Sequence, residues 1–310
     1  MSEEINYPTG FMLKDIVSWG NSGMICLDEQ SQTVVKSPHG EENEVDIAIE
    51  KRIYERLEEH GGHEGLLRYL GPYESGIRLE FARHGNLRSF LNTNAKDMGI
   101  EERLRWAKQI ADALRFVHSV NIVHGDVTCS NILLDGQINA KLTDFAGSSL
   151  DGSPLSVAVT ASHRCPGPAL SIQGDIFALG STMFEIMTGN VPYHNLLENE
   201  VKARYSRGKF PDTELLGPVG GIIARCWHGQ YGTFDSIVAD IEGISVPQSI
   251  CDSFANDWMI TAIQQNKLSL ASPDTVSLQI SLPSATTTAL TIITILLVAS
   301  LAHRWNWFQK

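Results

Sequence analysis

The chain contains the segment Ile122-Val-His-Gly-Asp-Val-Thr-Cys-Ser-Asn-Ile-Leu-Leu-Asp135, and the segment Asp144-Phe-Ala-Gly147 follows it. Taken singly, Asp126 would be an ordinary turn residue and Asn131 an ordinary helix-capping residue. Their occurrence in this order with Asp144, between apolar runs typical of short strands, indicates instead a loop that holds polar groups together. These three side chains are the first candidate functional residues.

The sequence around and after this loop has a helical pattern. The apolar side chains of residues 101–118 share one helix face: Leu104, Ala107, Ile110, Leu114 and Val117. Further helices are predicted at 173–189, 196–206 and 220–226, separated by turn-rich Gly and Pro segments. Together they predict a large helical lobe.

The sequence ahead of the loop has a mixed pattern. Residues 11–76 favour short strands, among them the β-branched Thr33-Val34-Val35, with one helical segment at 44–60. This predicts a small β-rich lobe with one main helix. The expected fold class is therefore α+β, with two lobes.

The last fifth of the chain, from residue 244, changes character. Residues 244–284 are polar with little periodicity and are predicted to form a linker. Residues 285–302 are uncharged and, at 1.5 Å per residue, would form a helix of about 27 Å, just enough for a bilayer core. The tail 303–310 carries aromatic and basic residues that suit a membrane interface.

These features predict a single-pass C-terminal membrane anchor. A buried C-terminal helix of a soluble protein is the alternative. A GPI signal is disfavoured, because charged and aromatic residues follow the apolar run.

Composition excludes some functions. The formal net charge of -12 argues against a nucleic-acid-binding surface. The five cysteines lie far apart without zinc-binding spacing, which favours a reducing compartment. The first ten residues lead into no apolar run, so no secretory signal is predicted.

The loop pattern resembles that of eukaryotic protein kinases. His124, Asp126 and Asn131 match the catalytic-loop pattern H-R-D followed after four residues by N, and Asp144-Phe145 match the metal-binding D-F-G pattern. The resemblance implies that Asp126 orients the substrate hydroxyl and accepts its proton. It implies that Asn131 and Asp144 hold the Mg²⁺ ions that bridge the ATP phosphates. ATP, Mg²⁺ and a protein substrate are thus the expected ligands.

The N-terminal lobe supplies matching residues. Lys36 stands where the kinase V-A-I-K lysine pairs with nucleotide phosphates, and Glu50 is expected to form an ion pair with it. Residues 17–25 resemble the glycine-rich loop if Ser18 replaces its first glycine. The resemblance adds these nucleotide-binding residues, the last two in a hinge at 79–82: Val17, Gly20, Gly23, Ile25, Val34, Leu133, Glu80 and Ala82.

Later segments agree with the resemblance. Asp175 resembles the aspartate that anchors the catalytic loop from the helix beneath it. The resemblance covers residues 11–243, with an N-lobe at about 11–82 and a C-lobe at about 83–243.

Several positions depart from the kinase pattern. Gly125 replaces the arginine that pairs with an activation-loop phosphate, Thr128 replaces a lysine of serine/threonine kinases, and Ala146 replaces the D-F-G glycine. The A-P-E glutamate and its arginine partner are replaced together, by Gly167 and Tyr231, which avoids an unpaired buried charge. This variant resembles a fungal-type branch of the superfamily.

Two hypotheses follow. The first is a membrane-tethered serine/threonine protein kinase whose lobes face the cytosol, where ATP is available. Thr160 lines up with the substrate-side threonine of such kinases. The second is a pseudokinase, a binding or scaffold module without turnover, which the incomplete glycine loop and the changes at Gly125, Thr128 and Ala146 favour. A small-molecule kinase is a third interpretation.

Overall fold

An antiparallel sheet forms the N-terminal lobe of the computed structural model, which describes residues 6–95, 97–156, 158–168 and 171–245. Its strand order is β1-β2-β3-β5-β4. The strands are β1 (Ile16–Trp19), β2 (Met24–Asp28), β3 (Thr33–Ser37), β4 (Tyr69–Tyr73) and β5 (Gly76–Glu80). A short 3-10 helix, Leu13–Asp15, precedes β1.

Strand β3 lies at the centre of this sheet. Its β-branched residues suit a strand covered on both faces, and all five of its residues are buried. It pairs with β2, where Ile25 lies opposite Lys36, and with β5, where Val34 lies opposite Leu79. Since alternate residues of a strand share a face, Val34 and Lys36 point to the same side of the sheet.

One long helix, α1 (Glu41–Glu59), packs against the sheet. Three glutamates in its first turn favour the helix N-terminus through the macrodipole. Its buried residues are Ile47, Glu50, Ile53, Tyr54 and Leu57. The buried carboxylate of Glu50 on this face requires a partner in the core.

The C-terminal lobe is mainly helical. Its helices are α2 (Leu87–Asn94), α3 (Ile100–Ser119), α4 (Ile172–Thr188), α5 (Glu198–Tyr205), α6 (Gly217–Trp227) and α7 (Phe234–Glu242). Helices α3 and α4 carry most of the buried side chains, and α4 packs against α6 while α3 packs against α7. A 3-10 helix, Glu214–Leu216, leads into α6. The predicted two-lobed α+β fold is confirmed.

Two small antiparallel sheets position the loops between the lobes. They pair β6 (Ile122–Val123) with β9 (Ser149–Leu150), and β7 (Ile132–Leu134) with β8 (Ala140–Leu142). The catalytic-loop segment therefore lies between β6 and β7. Asp144 lies two residues after the end of β8, and a hydrogen bond of 3.0 Å from Thr143 N to Asn131 O holds the two segments together.

The helix boundaries differ in places from the sequence prediction. The helix predicted at 220–226 begins earlier, at Gly217, because Pro218 suits the first turn of a helix. Helices α2 and α7 were not predicted individually. Helix α2 has only eight residues and depends on a cap, the Asn86 side chain, which accepts a hydrogen bond from Ser89 N over 2.8 Å.

None of the helices in the described part of the chain combines the length and apolarity needed to cross a membrane. The span predicted at 285–302 and the tail 303–310 lie outside the described residues. Most of the predicted linker, 244–284, also lies outside them.

Candidate active site

A cleft of about 330 Å³ lies between the two lobes. All of the predicted nucleotide-binding residues line it: Val17, Gly20, Gly23, Ile25, Val34, Lys36, Glu80, Ala82 and Leu133. Asn131 and Asp144 line it too. A larger groove of about 470 Å³ lies in the C-terminal lobe beside Phe210 and Trp227. It contains no predicted site residue, so the chemistry of the lining favours the cleft between the lobes.

The outer end of the cleft is apolar. Val17 and Val34 come from the sheet above, and Leu133 comes from β7 below, so a flat aromatic base fits between them. The Glu80 carboxylate accepts a hydrogen bond from Arg68 N over 3.0 Å.

The glycines of the loop between β1 and β2 have different functions. A Cβ atom on Gly23 would lie 2.3 Å from the Ser37 carbonyl oxygen, so glycine is needed there for the close approach of β2 and β3. A Cβ atom on Gly20 would lie 3.6 Å from its nearest neighbour, which is ordinary contact. The loop is closed by a hydrogen bond of 3.0 Å from Gly20 N to Gly23 O.

Lys36 joins the two lobes at the inner end of the cleft. Its Nζ lies 2.7 Å from Glu50 Oε2 and 2.7 Å from Asp144 Oδ1. Burial disfavours the charged amine, but the two carboxylates outweigh this effect and raise the pKa of Lys36. Lys36 also lowers the pKa of Asp144, against the effect of burial, so this pair is charged at neutral pH.

Glu50 also fixes the backbone beside Asp144. Its Oε1 accepts a hydrogen bond from Phe145 N over 3.1 Å. The fully buried Phe145 ring packs edge-on against Tyr54 and lies 5.0 Å from the His124 ring. Asp144 adopts a left-handed backbone with φ of 65°, which these contacts hold in place.

Asp126 and Asn131 form a second polar pair, in the loop between β6 and β7. Asn131 Nδ2 donates to Asp126 Oδ2 over 2.7 Å and to the Asp126 carbonyl over 2.9 Å. Because the amide nitrogen is used this way, the amide oxygen is left for another ligand. Burial raises the pKa of Asp126, while His124 and the Asn131 hydrogen bond oppose this effect.

Asp175 of α4 supports this loop from below. Its two carboxylate oxygens accept hydrogen bonds from His124 N and Gly125 N, each over 2.8 Å. Gly125 has φ of 79°, a conformation that glycine adopts without steric cost. The predicted anchoring contact of Asp175 is confirmed.

Two departures from the kinase pattern, Thr128 and Tyr231, and one match to it, Thr160, have defined surroundings. Thr128 is buried and is not among the residues that line the cleft. The Thr160 hydroxyl lies 3.2 Å from His163 Nδ1. The Tyr231 hydroxyl donates to Asp240 Oδ2 over 2.6 Å.

Sequence reasoning missed Arg88, which comes from α2 and reaches beneath the catalytic loop. Its Nε and Nη2 lie 2.5 and 2.9 Å from the two carboxylate oxygens of Glu185, and its Nη1 donates to Ser130 Oγ over 2.8 Å. The partners are separated by 97 positions in the sequence. No local pattern connects them, so only the tertiary structure identifies this pair.

The polar residues of the cleft fit a magnesium nucleotide. Mg²⁺ is usually held by one or two carboxylates together with substrate phosphates and water, rather than by an all-protein cage. The described residues contain no group of three or more His, Cys, Asp or Glu side chains that could hold a metal. The oxygen ligands available are the Asp144 carboxylate and the Asn131 amide, which matches a site completed by phosphates.

Comparison with known families identifies the chain. A family profile described as protein tyrosine and serine/threonine kinase matches residues 27–240, more than half of the sequence. The chain belongs to this protein kinase family. The match begins after the loop at 20–23, so the kinase assignment does not depend on the glycine loop.

The relatives of this kinase-family chain are distant. Mitogen-activated protein kinase kinase kinase 1 of Arabidopsis thaliana is 29% identical over 164 residues, which cover 48% of this chain and 26% of that protein. Megakaryocyte-associated tyrosine-protein kinase of Rattus norvegicus is 28% identical over 181 residues, which cover 54% and 39%. Ephrin type-A receptor 8 of Rattus norvegicus is 24% identical over 274 residues, which cover 77% and 72%.

The alignments with the first two relatives span well under half the length of those proteins. One of these relatives is named as a tyrosine kinase, so the similarity does not separate serine/threonine from tyrosine specificity.

Proposed function

We propose that the chain is an ATP-dependent protein kinase that transfers the γ-phosphoryl group of ATP to a hydroxyl group of a protein. The observation that carries this proposal is the position of Lys36, buried and held between Glu50 and Asp144, 2.7 Å from each carboxylate. Phosphoryl transfer depends mainly on positioning and on placed charge. A cation fixed in this way at the inner end of an apolar cleft suits the phosphates of a nucleotide.

In this mechanism Asp126 orients the substrate hydroxyl and accepts its proton. Asn131 binds one carboxylate oxygen, Oδ2, which leaves Oδ1 for the incoming hydroxyl. Asp144 and the amide oxygen of Asn131 would hold Mg²⁺, which supplies positive charge to the phosphates when bound. The Asp175 contacts keep the backbone of the loop fixed during transfer.

Serine/threonine specificity is the finer proposal. It is supported by Thr160, at the position of the substrate-side threonine in the kinase pattern. The test is a panel of peptides that differ only in Ser, Thr or Tyr at the acceptor position. Phosphorylation of the tyrosine peptide alone would refute this specificity.

A pseudokinase is the second candidate, favoured by Ser18 in the glycine loop and by the buried Thr128. Ligand binding to the native state raises thermal stability, so Mg-ATP should raise the unfolding temperature if a nucleotide site exists. A shift with phosphoryl transfer supports the kinase. A shift without transfer supports a pseudokinase that binds nucleotide, and no shift supports one that does not.

We further propose a kinase domain at 11–243, a linker at 244–284 and a transmembrane helix at 285–302, with the lobes in the cytosol. The support for the span and the linker is the uncharged run of residues 285–302 and the polar stretch before it. A fungal-type ancestry is proposed only from the variant motifs at 124–126 and 144–146. Alkaline extraction of membranes tests the anchor. Retention of the full chain in the membrane pellet is expected, and release into the supernatant would refute it.

A further inference from the structure

Two side chains outside the cleft, His39 and Asn43, hold the loop at residues 20–23, which connects β1 and β2 above the cleft. His39 Nε2 lies 2.7 Å from the carbonyl oxygen of Gly20. Asn43 Nδ2 donates to the carbonyl oxygen of Asn21 over 3.2 Å. Because a carbonyl oxygen only accepts hydrogen bonds, Nε2 of His39 carries the ring proton. Two consecutive peptide units of the loop are therefore fixed.

An aromatic contact fixes the His39 ring. The ring stacks on the Trp19 indole with 4.2 Å between centroids and 22° between planes. The other ring nitrogen, Nδ1, is buried without a hydrogen-bond partner among the described residues. The ring is thus placed by the stack and by the single hydrogen bond to Gly20.

The held carbonyls determine where the N–H groups of the loop point. A trans peptide unit directs its C=O and its N–H in opposite directions, and the described residues contain no cis peptide bond. Gly20 and Ser22 line the cleft, whereas His39 and Asn43 do not. The two carbonyls therefore point towards His39 and Asn43, away from the cleft, and the N–H groups of Asn21 and Ser22 point in the opposite direction.

We infer that His39 and Asn43 are positioning residues for the phosphate groups of the bound nucleotide. Successive backbone N–H groups that face one side form an anion-binding concavity, and these two side chains hold the loop in that conformation. The inference rests on the proposed function for the identity of the anion, the phosphates of ATP. It explains how a loop with Ser18 in place of a glycine binds phosphate.

The hydrogen bond from Asn43 links this loop to helix α1. Asn43 lies in the first turn of α1, and Glu50 lies seven residues later, about 10 Å along the helix axis. One helix therefore holds both the loop, through Asn43, and Lys36, through Glu50. A displacement of α1 would therefore release both groups proposed to contact the phosphates, the N–H groups of the loop and the Lys36 ammonium group.

The test compares Mg-ATP with adenosine, which lacks phosphates, by calorimetric titration of the full chain. His39→Phe keeps a ring for the stack on Trp19 but removes the donor, and His39→Gln keeps a donor. Asn43→Ala removes the second contact. His60→Phe is the matched control, because the ring of His60 also binds a carbonyl, Arg56 O, at the other end of α1.

The expected result is a selective loss of ATP affinity. His39→Phe and Asn43→Ala should each raise the Kd for Mg-ATP about fivefold, the effect of losing one orienting hydrogen bond, with an unchanged Kd for adenosine. His39→Gln should recover much of the loss, and His60→Phe should match the wild type.

Three results would overturn the inference. One is an unchanged Kd for Mg-ATP in both His39→Phe and Asn43→Ala, and another is an equal loss of ATP and adenosine affinity, which indicates a general structural role. A wild-type chain that binds ATP no better than adenosine would also overturn it. Absence of phosphoryl transfer alongside the predicted ATP-selective loss would refute only the proposed activity.

Discussion

Lys36 of β3 and Glu50 of α1 form a buried ion pair with 2.7 Å between Nζ and Oε2. If this pair positions Lys36 for the phosphates, Glu50→Gln should lower kcat for phosphoryl transfer by about a hundredfold. The reason is that the Lys36 ammonium group loses the carboxylate that orients it. Steady-state kinetics with Mg-ATP measures this effect. The control is Glu55→Gln, since Glu55 lies on the same helix in a half-exposed pair with Lys51 at 4.0 Å. A kcat for Glu50→Gln within twofold of the wild type would contradict the assigned function of the pair.

The ion pair of Arg88 with the buried Glu185 should stabilise the folded chain. The Glu185 side chain is 4% exposed, so Arg88→Met leaves a buried carboxylate unpaired, which should cost about 3 kcal/mol in the free energy of unfolding. The double variant Arg88→Met with Glu185→Leu removes both charges and should recover most of this loss. Urea denaturation measures each variant.

The control for this pair is Lys202→Met, which breaks the exposed contact of Lys202 with Glu198. An exposed pair of this kind contributes less than about 1 kcal/mol. Equal destabilisation by Arg88→Met and Lys202→Met would show that the buried pair has no special contribution.

Arg103 should be a structural residue of the C-terminal lobe. Its guanidinium is buried and donates to the carbonyls of Met98 (3.2 Å), Ala95 (2.5 Å) and Ile186. Arg103→Leu leaves these carbonyls without their donor, so the free energy of unfolding should fall by about 3 kcal/mol. The neighbouring exposed Arg105 is the control, and Arg105→Leu should change stability by less than about 0.5 kcal/mol. Denaturation midpoints that coincide for the two variants would argue against this function of Arg103.

His163 should make the fold sensitive to acid. Burial, with a smaller effect from Arg88, lowers its pKa to about 3, so the ring is neutral although Nε2 lies 4.0 Å from Glu185. Glu185 is already paired with Arg88. In the unfolded chain a histidine has a pKa of about 6.5. As the pH falls below 6.5, the unfolded chain therefore binds a proton that the native chain does not, and stability is lost.

The size of this effect is about 1.4 kcal/mol for each pH unit between 6.5 and the native pKa. Replacement by His163→Phe should therefore reduce the loss of unfolding free energy between pH 6.5 and pH 5 by about 2 kcal/mol. Urea denaturation at the two pH values gives the difference. The wild type, measured at the same two pH values, provides the comparison. A wild-type pH dependence in His163→Phe would disprove the burial argument.

Much of the architecture follows from local patterns in the sequence. The apolar period of α3 and the β-branched residues of β3 are strong signals, and both elements lie where they were predicted. The resemblance to a known family predicted the ion pair of Lys36 with Glu50, whereas the contact of Lys36 with Asp144 is a finding of the structure. The ion pair and the Asp175 anchor are accordingly present.

Other features depend on contacts that no local pattern encodes. Arg88 and Glu185 are far apart in sequence, and His39 and Asn43 bind backbone carbonyls, which every residue offers. Gly23 was predicted to bind nucleotide as part of the glycine-rich loop, but the Ser37 carbonyl already requires glycine there. The functions of these residues therefore depend on tertiary packing, which the local sequence pattern does not show.

Asp126 is proposed to support phosphoryl transfer from ATP. The most direct measurement is transfer of labelled γ-phosphate from Mg-ATP to a protein acceptor by the full chain, compared with Asp126→Asn. That variant keeps the shape of the side chain but removes the proton acceptor. We expect turnover in the wild type, a loss of at least about a hundredfold in Asp126→Asn, and similar ATP affinity in both. Equal turnover in the two proteins, or a wild type that binds ATP without transferring phosphate, would disprove this role of Asp126.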